Sequence, residues 1–171
     1  MQDADLFMEL AGIAGVFVGF GALIAVRGGG ASDAFEVAYM RGVVSFGLLT
    51  IVAALAPVTV GRYDLVEHEV WALSSVVLLV GLIAVNVLNA ATPEYRDDTA
   101  APTGSRWLVV LAMAAVAVLM LAVALAPIVI ILNLAPGAEA ALFFTAVVVI
   151  LLFDALQLLQ LVFRRRHPAT A

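Results

Sequence analysis

The sequence predicts an all-α fold, a polytopic five-helix transmembrane bundle with its N-terminus outside and its C-terminus cytoplasmic. Three observations predict it. Of the 171 residues, 65% are hydrophobic and 12% charged, where a soluble domain is about 45–50% apolar. So few polar residues cannot cover a water-facing surface. Apolar stretches of about 20 residues recur along the chain, the length needed to cross a hydrocarbon core of ~30 Å at 1.5 Å per helical residue. The third observation is the distribution of arginine, the sole strong cation in a chain without lysine.

The first span runs over about residues 6–26. Its leader, MQDAD, is acidic where a signal peptide is basic, and no small-x-small cleavage site follows, so the segment reads as a retained span. Within it Ala11, Gly15 and Gly19 repeat every four residues. This small-xxx-small face lets helix backbones approach closely, with another span of the bundle as the expected partner and a second copy of the chain as the alternative. The RGGGASD that follows resembles a phosphate loop only superficially, because no strand precedes it and no Gly-Lys-Ser follows. A turn is expected there.

Spans two and three cover about 37–60 and 70–91, and spans four and five about 107–132 and 140–163. The NLAPGAE segment separates the last two, its Pro136-Gly137 dipeptide marking a turn in a run too long for one crossing. Pro57 and Pro127 sit in similar contexts, AALAPV and VALAPI. Each removes a helix hydrogen bond, freeing the carbonyls of Ala53 and Val123, and a local kink is expected. The polar residues do not repeat with the prolines: in that alignment Arg41 falls on Leu111 and Asp154 on Ala84.

Placing the N-terminus outside leaves Arg62 external and Arg27, Arg41, Arg96, Arg106, Arg164, Arg165 and Arg166 internal, as the positive-inside rule requires. The whole chain, 1–171, is then one transmembrane domain in a multi-pass protein of the cell membrane. Tyr63 and Trp71 fall at the outer interface, and Tyr39, Tyr95 and Trp107 at the inner one. The three tail arginines read as a topology lock, with attraction to anionic lipid as the alternative. A net charge of −5 gives no basic footprint for nucleic acid.

Cysteine is absent, which removes disulfides, thiolate nucleophiles and cysteine-ligated metals. Asp64, Glu67, His68 and Glu69 gather in one external loop, where a hard cation would find oxygen ligands, although a solvated loop explains them equally well. No catalytic constellation lies within the spans and no metal or cofactor is expected, so the chain reads as non-enzymatic.

The informative residue is Asp154, a carboxylate in LLFDALQLLQ about 13 Å from the inner end of span five. A charge near the bilayer centre costs ~3 kcal/mol even on lenient insertion scales. Gln157 and Gln160 share an arc of about 120° with it. Asn86 and Asn89 lie at a similar depth on span three, and Arg41 lies one turn into span two. These six residues are expected to face one another inside the bundle, because polar groups turned to lipid go unsatisfied. Arg41, whose stem can lie along apolar surface, is the expected ion-pair partner of Asp154. Glu9 lies near the outer surface, where it can snorkel outward.

Two functions fit these expectations. One is a structural or accessory membrane subunit whose polar cluster fixes helix register, with the lipid bilayer and a second copy or another membrane protein as partners. The other is a small ion channel or proton-coupled transporter in which Asp154 titrates.

Overall fold

A computed structural model describes residues 4–27, 34–90 and 106–166. The expected turn at RGGGASD, the interface position of Tyr95, the internal position of Arg96, and His167 fall outside the described residues. The described residues form five helices: α1 (Ala4–Arg27), α2 (Ala34–Val60), α3 (Glu67–Ala90), α4 (Arg106–Ile131) and α5 (Glu139–Arg166). All five are long and apolar enough to cross a membrane, and each lies within about three residues of its expected span.

Helices α2, α3, α4 and α5 form a ring in which each packs on the next and α5 closes against α2. Between α3 and α5 runs a shorter diagonal contact, and α1 lies outside the ring along α2, touching α5 as well. The two described connections, 61–66 and 132–138, are short and make α2 and α3, and α4 and α5, run antiparallel as neighbours, while Phe7 of α1 meets Trp71 of α3 and Phe143 of α5. The beginnings of α1, α3 and α5 and the ends of α2 and α4 therefore share one face of the bundle, called here the turn face.

Local chemistry fixes both turns on that face. Helix α4 ends in a Schellman motif, with Leu134 N–H donating to the Val129 carbonyl at 3.0 Å and Asn133 N–H to that of Ile130 at 3.0 Å. Asn133 adopts φ 52°, the left-handed conformation that asparagine tolerates better than most residues. Next comes a tight turn closed by Ala138 N–H to the Ala135 carbonyl at 3.1 Å, with Gly137 at φ 82°. Proline second and a positive-φ glycine third is the type II pattern. The first turn of α3 is capped by Glu69, whose carboxylate accepts from Val66 N–H at 3.2 Å, half of a capping box.

Beneath the turn face lies an aromatic cluster. Phe7 of α1 stands 6.0 Å from Trp71 of α3 and 6.0 Å from Phe143 of α5, and it meets Phe144 edge-on at 5.7 Å. Trp71 and Phe143 are 5.9 Å apart. Phe7, Trp71 and Phe143 are almost wholly buried. Ala53 and Ala54 of α2 belong to the same buried core as these rings. Edge-on and tilted ring pairs add about 0.5–1.5 kcal/mol each beyond their area.

Helix α1 meets the bundle through Phe7, Leu10, Ala14 and Gly21, spaced three, four and seven, as a left-handed helix seam requires. This corrects the expected packing face. Gly15 and Gly19 point away from the bundle with nothing near the position a Cβ would take, as does Gly12, and Ala11 is half-buried. The close approach lies one position round the helix. A Cβ on Gly21 would stand 3.1 Å from Val43 of α2, and one on Gly47 of α2 would stand 3.6 Å from the Ala14 carbonyl.

Several polar side chains inside the helices bond back to their own backbone. Thr50, Ser74, Thr59 and Thr145 donate to the carbonyls of Phe46, Val70, Leu55 and Ala141 at 2.7–2.9 Å. Such bonds satisfy the hydroxyl in an apolar environment without joining one helix to another.

Candidate functional site

Asp154 occupies the junction of α1, α2 and α5. Its side chain is fully buried, and neither carboxylate oxygen has a hydrogen-bond partner among the described residues. Oδ2 lies 3.1 Å from where a Cβ on Gly47 would stand, and that same position is 2.5 Å from a Val18 methyl of α1. Gly47 has thirteen residues of α2 on either side, and Asp154 lies near the middle of the 28-residue α5. The carboxylate is therefore held at the mid-level of the helices, in a niche that exists because α2 has no side chain there. Next to it, Phe153 meets Phe46 of α2 edge-on at 5.3 Å.

One turn along α5, Gln157 repeats the arrangement. Its amide tip lies against Gly42 of α2, filling the space a Cβ would occupy. Its Oε1 is buried and also without a hydrogen-bond partner. Two α2 glycines thus receive two successive polar side chains of α5. Neither glycine was singled out from the sequence, although an isolated glycine inside an apolar helix is a signal of close approach.

The remaining members of the expected cluster are placed differently. Arg41 is exposed on α2, and no described cation pairs with Asp154, so the expected ion pair is not formed. A long arginine near a helix end can as readily extend toward the polar interface as turn inward. Asn86 is exposed and donates to the Leu82 carbonyl of its own helix at 2.8 Å. Asn89 is half-buried. On α5 the polar stripe leaves the interior as the helix turns, Asp154 being buried, Gln157 half-buried and Gln160 exposed. Residues three apart on a helix are offset by about 60°, so a stripe with that spacing winds out of any one interface. Of the six expected residues, Asp154 and Gln157 come together and Arg41, Asn86 and Gln160 do not join them.

A second polar contact lies on the turn face. Glu139 at the start of α5 accepts from Gly137 N–H at 2.7 Å, and its other oxygen stands 3.6 Å from His68 Nδ1 of α3. His68, expected in a solvated acidic loop, is thus directed across to α5. Glu9 is exposed on α1. Two shallow grooves open near this end, one lined by Gly61, Leu65, Glu67, Val70 and Trp71 and the other by Leu6, Phe7, Ala140, Ala141 and Phe144. Neither includes Asp154.

No family model, curated protein or solved structure matches the chain.

Proposed function

We propose that this chain is a small non-enzymatic protein of the cell membrane, N-terminus outside and C-terminus cytoplasmic, that moves protons or a proton-coupled solute through Asp154. The observation carrying this reading is the carboxylate itself, fully buried at mid-level with both oxygens unpartnered. A register-fixing role for a buried charge rests on a counter-charge or a satisfied network, and Asp154 has neither among the described residues. Ionisable groups inside membrane bundles otherwise serve proton relays and ion paths.

The accessory-subunit reading keeps one observation in its favour. Gly12, Gly15 and Gly19 of α1 face outward with open space before them, a surface on which a helix of another protein or a second copy could pack closely.

Reconstitution in liposomes separates the two. Under a pH gradient and an imposed voltage, the wild-type protein is expected to carry protons, and Asp154→Asn to reduce the flux at least tenfold. A wild type that carries none removes the transport reading and leaves the accessory one. Wild-type flux that Asp154→Asn does not change removes Asp154 as the working group.

A further inference from the structure

We infer that the ligand of the α5 site is a bare proton rather than a metal cation, held on Asp154 with Gln157 as its hydrogen-bond acceptor. This rests on the transport reading above and names what that site binds. Three buried oxygens lie on one face of α5 without a donor, Oδ1 and Oδ2 of Asp154 and Oε1 of Gln157. An acceptor-only set attracts a cation or a proton and repels an anion. A hard metal cation takes about six oxygen ligands at close range, and three are available here. The other groups that the structure identifies there are Gly47, a methyl of Val18 and the Ala14 carbonyl beside Asp154, and Gly42 beside Gln157; that carbonyl brings the oxygens to four, still short of a metal's shell. The two α5 side chains rest directly against the α2 backbone, Asp154 at Gly47 and Gln157 at Gly42.

A proton requires neither more ligands nor more space. It turns one carboxylate oxygen into a donor, and side chains at i and i+3 have Cβ atoms about 5–6 Å apart, so a rotation about either side chain brings the acid O–H to the Gln157 amide oxygen. One proton then satisfies two of the three orphaned oxygens. The described charged groups on the three helices around the site stand elsewhere. Asp5 and Glu9 of α1 and Arg41 of α2 are exposed, and Glu139 is engaged at the turn face. The α2 glycines act as the selecting wall, because they let the acid pack against backbone instead of against water or a polar side chain.

Infrared difference spectroscopy of the full chain in lipid vesicles tests this independently of flux. The wild type is expected to show the carbonyl stretch of a protonated carboxyl that shifts in D2O, moves in Asp154→Glu and is lost in Asp154→Asn. Gln157→Leu should displace the band, and exchanging sodium for potassium should leave it in place. No such band between acidic and neutral pH, a band abolished by sodium, or one indifferent to Gln157→Leu overturns the inference. If Asp154→Asn fails to fold, the Asp154→Glu shift carries the assignment. A band without proton flux keeps the proton site and defeats the transport reading; flux without the band does the reverse.

Discussion

The two ends of the bundle are built on different terms. Below the turn face, Phe7, Trp71, Phe143 and Phe144 from three helices close a dense core. Farther along, the described contacts between α2 and α5 are of another kind: Phe46 meets Phe153 edge-on at 5.3 Å, and the Gln157 amide lies against Gly42. Asp154 lies where the one regime gives way to the other. Aromatic rings from three helices hold the turn-face end, while at mid-level and beyond two α2 glycines take in polar side chains of α5, and this is where the unpartnered carboxylate is found.

The contrast can be broken by substitution, with thermal unfolding in detergent micelles as the measurement. Phe143→Ala should cost the most, about 3–5 kcal/mol as for other buried aromatic truncations. Leu159→Ala, at an exposed position, should be nearly neutral, and equal losses at the two sites would abolish the difference between the ends. Gly47→Val should cost about 1–3 kcal/mol by overpacking against Val18. Gly15→Val on the open face of α1 should be tolerated, and the opposite ranking would mean that the α1 seam has been assigned to the wrong face.

Asp154→Leu should change stability in the other direction, a gain of about 1–3 kcal/mol, because it removes buried acceptors that have no donor. A loss would reveal a partner for the carboxylate. The smallest effect is expected for Arg41→Leu, within about 0.5 kcal/mol, as for other surface changes. Combined with Asp154→Leu it should add without coupling. Rescue of one change by the other in a double-mutant cycle would restore the ion pair that the sequence suggested.

The helices were legible in the sequence because length and apolarity alone decide them, and NLAPGAE was legible because proline and glycine have fixed conformational meaning. The helix faces were not. In a soluble bundle the buried stripe stands out against polar neighbours, but lipid is as apolar as a core. Ala11, Gly15 and Gly19 therefore looked as suitable for packing as Ala14 and Gly21, and only the three-dimensional arrangement separates them. The depth of Asp154 was readable from its place along span five. Its surroundings depended on Gly42 and Gly47, whose contribution is an absent side chain and so leaves little trace in a hydropathy pattern. Arg41 was misplaced for a related reason: reach along the helix axis says how far a guanidinium extends, not in which direction.

Thr50, Thr59, Ser74 and Thr145 each spend their hydroxyl on the helix that carries them. Among these groups no rivet joins one rod to the next, and Gly47 and Gly21 smooth the track where α1 and α2 touch. These rods are therefore matched to one another by shape, and altering how two of them fit together should matter more than removing any of the four hydroxyls.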